Sequence, residues 1–97
     1  MLTLADITAT LQAHLPRLRR HYHVETLGIF GSHVRGEPVE GSDVDLLVTF
    51  SQTPTLFEFV ALKQHLEALL GCPVDLGMPE ALKPPVAERI LQETVYV

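Results

Sequence analysis

The sequence predicts an α/β (α+β) protein in which a small mixed β-sheet is covered by helices. The predicted strands are separated by helical segments in the order α, β, β, α, β, α, β, which favours a mixed sheet over a meander of hairpins. The chain has 97 residues and no internal repeat or low-complexity segment. With 46% hydrophobic residues it can build one core and bury about 60–70% of its unfolded surface. We therefore expect residues 1–97 to form a single domain.

The overall charge and the cysteine content exclude several classes of protein. The formal net charge is −5, which argues against stable binding to nucleic-acid backbones, because that affinity comes from Lys and Arg. Cys72 is the one cysteine, so neither a disulfide framework nor a thiolate metal site is expected. The first residues lack the basic start of a signal peptide, and no apolar run reaches the ~18 residues of a membrane helix. We expect a cytoplasmic protein without a membrane segment.

The first half of the sequence predicts a helix followed by two strands. Apolar residues from Leu4 to Tyr22 recur at helical spacing, and Thr3 with Asp6 forms a predicted capping box. Pro16 interrupts this pattern, so a kink or a new helical segment is expected near it. Residues 24–30 and 43–50 predict strands. The short segment 32–36 between them has room for one helical turn, and residues 37–41 predict a loop.

The second half predicts two helices, each followed by a short strand. Residues 56–70 have apolar side chains near helical spacing, among them Phe57 and Val60, and Gly71 is placed to end this helix. Residues 73–77 predict a third strand. Pro84 and Pro85 open a predicted helix that continues to residue 91, and residues 95–97 predict a last short strand.

Two aspartates on the second predicted strand are the first candidate for chemistry. Asp43 and Asp45 are two residues apart, so both carboxylates leave the strand on one face while Val44 and Leu46 enter the core. Like charges at this separation raise each other's pKa and cost stability unless a cation or water compensates them. By itself the pair fits a solvent-facing strand start equally well.

A second candidate lies at the end of the first predicted strand, where the chain turns at Gly31 and Ser32. Backbone amides, the Ser32 hydroxyl and the guanidinium of Arg35 one turn later form a set of donors suited to phosphate. The alternative is an ordinary strand-to-helix turn with Arg35 as a surface charge.

Together, a phosphate site and a carboxylate pair on adjacent strands suit metal-assisted phosphoryl transfer. Mg²⁺ prefers carboxylate and phosphate oxygens, and two such ions ~4 Å apart can clamp the attacking and leaving oxygens. Asp75 is the best third carboxylate, because it lies between Val74 and Leu76 on an apolar strand where a structural role for it is hard to find.

These residues also resemble a known family. Gly31-Ser32, then ten residues, then Asp43-Val44-Asp45 is similar to the minimal nucleotidyltransferases of the DNA polymerase β superfamily, in particular the MNT antitoxins that pair with HEPN ribonuclease toxins. The likeness covers nearly the whole chain and extends to the Val-Asp-Leu strand of Asp75 and to the segment Ala81–Pro84 before the last helix.

The resemblance implies a specific activity: transfer of AMP from ATP to a hydroxyl, for the antitoxins a tyrosine of the cognate HEPN toxin, which is thereby silenced. By position, Asp43, Asp45 and Asp75 would be the catalytic, metal-holding residues for two Mg²⁺ ions, with Asp75 also helping to deprotonate the acceptor. The β- and γ-phosphates would be held by Gly31, Ser32 and Arg35. In this reading the chain is an enzyme, a protein adenylyltransferase with ATP as substrate.

Two other functions fit the same pattern. The chain could restrain its partner by contact alone, as a nucleotide-binding module, or transfer a nucleotide to a small molecule. Because 97 residues leave no separate acceptor domain, we expect the surface for the acceptor to come from a partner protein or a second copy.

Several other residues favour structural interpretations. The basic cluster Arg17, Arg19 and Arg20 fits a solvated face near a helix end. His33 is expected to be partly exposed at its turn and to have no chemical role. Cys72 is expected to be a small buried hydrophobe. Tyr22 and Tyr96 fit apolar patterns and are expected in the core.

Overall fold

The computed structural model describes residues 2–37 and 41–97. Helices and strands alternate along the chain as the sequence predicts, with one additional 3₁₀ turn before the last helix. Their bounds are α1 Leu4–Tyr22, β1 Val24–Phe30, α2 Ser32–Arg35, β2 Val44–Phe50, α3 Leu56–Leu70, β3 Val74–Gly77, the 3₁₀ turn Pro79–Ala81, α4 Pro84–Glu93 and β4 Val95–Tyr96. The predicted loop at 37–41 lies largely outside the described residues.

The four strands form one mixed sheet, which confirms the predicted fold class. Their order is β3-β2-β1-β4. Strand β1 runs antiparallel to both β2 and β4, whereas β2 and β3 are parallel. The parallel pair needs a crossover connection, which α3 provides. No helix in the described part of the chain is long and apolar enough to cross a membrane.

The hydrophobic core lies between one face of this sheet and the helices α1 and α3. Alternation along β2 turns Val44, Leu46 and Val48 to this face, where all are fully buried. The helices contribute one residue per turn to the same core, namely Ile7, Leu11, Leu15 and Leu18 of α1 and Leu62, Leu66 and Leu70 of α3. Asp45 alternates with these residues, so its side chain belongs to the opposite face of the sheet.

Local signals in the sequence determine where the two long helices begin and end. Thr3 and Asp6 form the predicted capping box of α1, and Thr55 and Glu58 form a second one at the start of α3. Gly71 ends α3 in the left-handed conformation that favours glycine. Helix α1 continues through Pro16 as a single element, so the prediction of a separate segment there is wrong.

Three apolar residues that fit the sequence patterns are exposed in the structure. Phe57 and Val60 of α3 are exposed, Phe57 by 88%, because the core is met by the face of α3 that carries Leu62 and Leu66. Tyr96 is half exposed on β4, a strand of two residues at the edge of the sheet, so its expected core position is wrong. Helix α4 extends two residues beyond the predicted end, to Glu93.

Candidate active site

The pairing of three strands places two of the predicted carboxylates side by side. Phe30, the last residue of β1, is opposite Asp45 of β2, and Asp45 is in register with Asp75 of β3. Residues in register on neighbouring strands share a face of the sheet. Asp45 and Asp75 therefore lie next to each other on the face opposite the main core, one strand from the turn that follows Phe30.

Gly31 begins this turn, and its backbone lies directly against the side chain of Asp45. Its φ of +82° lies in a region that L side chains rarely adopt. A Cβ atom at this position would overlap the carboxylate of Asp45. Glycine is therefore required here for two independent reasons, and its absence of a side chain is what brings the backbone of the turn against the carboxylate.

The electrostatics of Asp45 show that the predicted carboxylates interact. Partial burial raises the pKa of the Asp45 carboxyl, and the negative charges of Asp75 and Asp43 raise it further. His33 and Arg35 act in the opposite direction. Asp43, immediately before β2, and Asp75 are both exposed, so the two partners of Asp45 are open to solvent.

Carboxylate oxygens are suitable ligands for a divalent cation, but these carboxylates do not surround a metal position completely. Among the described residues no group of three or more His, Cys, Asp or Glu side chains is arranged to hold a metal ion. Mg²⁺ commonly binds one or two carboxylates together with substrate phosphates and water. The mutual repulsion at Asp45 is the kind of interaction that a bound cation relieves.

Arg35 makes contacts that the sequence analysis did not anticipate. Its Nη1 donates to both carboxylate oxygens of Glu93, each at 3.2 Å, and its Nε lies 3.9 Å from Glu37. The same carboxylate of Glu93 accepts a hydrogen bond of 3.1 Å from the backbone N–H of Gly31. Glu93 thus connects the end of α4 to the turn and to Arg35. The guanidinium is a paired group at the protein surface, half exposed and held beside the turn by Glu93.

Ser32 and His33 follow Gly31 in the short helix α2. Ser32 is half-buried at the start of this helix. His33 is buried, with 7% exposure, and its Nδ1 has no hydrogen-bond partner in the described part of the chain. The expectation that His33 is partly exposed is therefore wrong, because α2 packs against β1 and β2.

A cleft of about 520 Å³ opens beside these groups. Its lining includes Gly31, Arg35 and Asp45 together with residues of α4, namely Arg89, Ile90 and Glu93. Sequence reasoning missed the α4 residues. Their four-residue spacing places Arg89 and Glu93 on one helix face, but no sequence signal indicates which surface that face meets.

Cys72 has no features of a reactive nucleophile. It is half-buried next to the core, and burial, followed by the charges of Asp43 and Glu67, raises the pKa of its thiol. A raised pKa lowers the fraction of reactive thiolate at neutral pH. Its interpretation as a small packing residue is consistent with these surroundings.

The fold and the carboxylate-bearing face define a class of protein: a nucleotidyltransferase. Residues 11–97 match the model of the nucleotidyltransferase domain family, and the chain belongs to that family. It is also 50% identical, over its whole length and 98% of the relative, to the protein adenylyltransferase MntA of Thermococcus cleftensis.

Solved structures agree with this assignment. A structure described as a minimal nucleotidyltransferase superimposes with a TM-score of 0.83 and 37% identity, over 97% of this chain and 95% of that one. An MNT antitoxin of Shewanella oneidensis, in complex with a tri-AMPylated HEPN toxin, matches with a TM-score of 0.66 over 93% of this chain and 70% of that one. At 18% identity the second likeness establishes the fold alone.

Proposed function

We propose that this protein is a Mg²⁺-dependent protein adenylyltransferase that acts as an antitoxin. It transfers AMP from ATP to a hydroxyl, a tyrosine of a cognate HEPN ribonuclease toxin, in the cytoplasm. The observation that carries the proposal is the register of Asp45 with Asp75 beside the Gly31 turn. The name of the Thermococcus relative, a protein adenylyltransferase, supports AMP as the transferred group and a protein as its acceptor.

In this reaction the hydroxyl oxygen of the acceptor attacks the α-phosphorus of ATP. A new O–P bond forms as the bond to the β-phosphate oxygen breaks, and pyrophosphate leaves with the electron pair. Asp75, exposed next to the site, takes up the hydroxyl proton directly or through water. Positioning of acceptor and triphosphate supplies most of the catalysis, as in other phosphoryl transfers.

Two sets of protein groups act on the triphosphate. Asp43, Asp45 and Asp75 hold two Mg²⁺ ions, which supply Lewis-acid stabilisation of the charge on the transferred and leaving phosphates. Gly31, Ser32 and Arg35 bind the β- and γ-phosphates. Arg35 can do so while it remains paired, because Glu93 engages its Nη1 and Glu37 lies near its Nε, which leaves Nη2 for the ligand.

The acceptor surface comes from a partner. Residues 1–97 act as one minimal nucleotidyltransferase domain, in which the described helices and strands form the sheet and the helices packed around it. We therefore expect slow turnover of the chain alone, with the toxin or a second copy completing the site. The net charge of −5 argues against nucleic acid as a stable ligand.

Intact-mass measurement of the toxin tests this function. The chain is incubated with Mg²⁺, ATP and the cognate toxin, and the intact mass of the toxin is measured before and after the incubation. The proposal predicts added AMP that disappears with Asp43→Asn, while the exposed control substitution Glu88→Gln leaves the transfer intact. Toxin inhibition that persists without a mass change would instead favour restraint by contact alone, and an adenylylated small molecule would favour the third alternative.

A further inference from the structure

Arg89 of α4 is a second arginine at the cleft, and the proposed reaction assigns it no role. Its side chain lines the same cleft as Gly31 and Asp45. It forms no ion pair or side-chain hydrogen bond within residues 2–37 and 41–97. The same cleft contains the carboxylates of Asp45 and Glu93, and neither of them forms an ion pair with Arg89.

The position of Arg89 is determined by Glu93, one turn further along the helix. Side chains four residues apart in a helix lie on the same face. Glu93 turns this face toward the site, because its carboxylate accepts hydrogen bonds from the Gly31 N–H at 3.1 Å and from Arg35 at 3.2 Å. Arg89 thus lines the cleft while it stays exposed, so its guanidinium is accessible to a ligand that enters from solvent.

The same contacts explain why Arg89 lacks a partner. An Arg and a Glu at this spacing can form an ion pair along the helix, although the order Arg then Glu is the weaker one. Here both oxygens of Glu93 are engaged by Arg35. Glu93 therefore fixes one arginine and leaves the other available for an external anion.

We propose that Arg89 is a triphosphate-binding residue, which places a second guanidinium of the cleft on the nucleotide phosphates. This inference rests on the proposed function and extends it by assigning a role to α4. Arginine suits phosphate because its planar fork donates two parallel hydrogen bonds and keeps its charge at all relevant pH values. Ile90, between Arg89 and Glu93 in the cleft lining, adds an apolar contact next to the charged groups.

Binding of Mg²⁺-ATP by the full chain tests the inference. Arg89→Gln should weaken Mg²⁺-ATP binding by about tenfold or more, the effect of losing one charge-assisted hydrogen bond. Arg89→Lys should recover part of the affinity, because it restores the charge without the fork. Inorganic triphosphate should lose affinity in parallel, whereas adenosine should bind Arg89→Gln as it binds the wild type. Thermal melts without nucleotide establish that the variants are folded.

Arg19→Gln is the matched control, because Arg19 is an exposed arginine of α1 outside the cleft. It changes the net charge by the same amount and should alter Mg²⁺-ATP affinity by less than about twofold. Equal affinity of Arg89→Gln and wild type would overturn the inference, and so would a weakened toxin complex with unchanged nucleotide affinity, which would assign Arg89 to the partner interface. If the wild type itself binds no Mg²⁺-ATP, the proposed function fails together with this inference.

Discussion

Gly31 connects backbone conformation directly to the site. Gly31→Ala should lower the free energy of unfolding by about 2 kcal/mol or more, because it combines a left-handed φ with overlap against the Asp45 carboxylate. Gly36→Ala is the matched control: Gly36 also has a positive φ, of +73°, but a Cβ there would meet open space. Chemical denaturation of both variants measures the difference, and equal losses would show that the close approach of Gly31 to Asp45 is unimportant.

Asp45 is a residue whose charge opposes folding in the absence of a cation. Burial and the charges of Asp75 and Asp43 raise the pKa of its carboxyl, so Asp45→Asn should leave the metal-free protein equally stable or slightly more stable. The same substitution should abolish the rise in Tm that Mg²⁺ and nucleotide produce in the wild type. A large drop in Tm of the metal-free variant would mean that the carboxylate has a structural role.

At the scale of the element, the capping box of α3 predicts a pH dependence. The backbone N–H of Thr55 donates to the Glu58 carboxylate at 2.9 Å and lowers the pKa of Glu58 below its ordinary value of 4.5. A lowered pKa in the folded state means that ionised Glu58 stabilises the protein above pH 4.5 and that this contribution is lost as the pH falls.

Glu58→Gln should therefore reduce Tm at neutral pH, and its difference from the wild type should shrink toward pH 3, about one unit below the ordinary range of glutamate. Melts at several pH values measure this difference. Glu88→Gln on the exposed face of α4 is the control and should show little change at any pH. A Glu58→Gln difference that grows in acid would contradict the capping interpretation.

Helix α3 has buried and exposed apolar residues, which should contribute very differently to the free energy of unfolding. Leu62→Ala should cost about 2–5 kcal/mol of unfolding free energy, because Leu62 is fully buried. Phe57→Ser, at a position that is 88% exposed, should change stability by less than about 0.5 kcal/mol. Denaturant titrations of the two variants compare them on one helix, and a large loss for Phe57→Ser would show that this surface is packed in solution.

Sequence information was sufficient where a local signal defines an element. The capping residues of α1, the β-branched run of β1 and Gly71 after α3 are local signals, and the structure follows them within one or two residues. Sequence information was insufficient to predict which residues are buried, because burial depends on tertiary packing. The apolar residues of α3 surround the helix, so their spacing could not distinguish the buried Leu66 from the exposed Phe57.

Some residues of the candidate site could be predicted from a local sequence motif, and others could be found only from the fold. Asp43, Asp45 and Gly31 are close in sequence and could be found from one motif, and the Val-Asp-Leu pattern indicated Asp75. Arg89 and Glu93 follow the last residue of the motif, Asp45, by 44 and 48 residues. Only the folded chain brings them to the turn, where Glu93 binds the Gly31 N–H, so no local pattern could assign them to the site.

On the scale of the whole molecule, the fold places one face of the sheet in the core, and Asp45 and Asp75 lie on the other. Helices α1 and α3 cover the first face, while the register of β1, β2 and β3 aligns the turn with the carboxylates on the second. We expect these three strands to assemble one site for a cation and a triphosphate.

The most direct measurement is a crystal structure of the chain with Mg²⁺ and a non-hydrolysable ATP analogue. The proposed site predicts Mg²⁺ bound by Asp43 and Asp45, with Asp75 facing the α-phosphate and the β- and γ-phosphates against Ser32 and Arg35. A nucleotide bound on another surface, or cations that contact none of these aspartates, would contradict the assignment of the site.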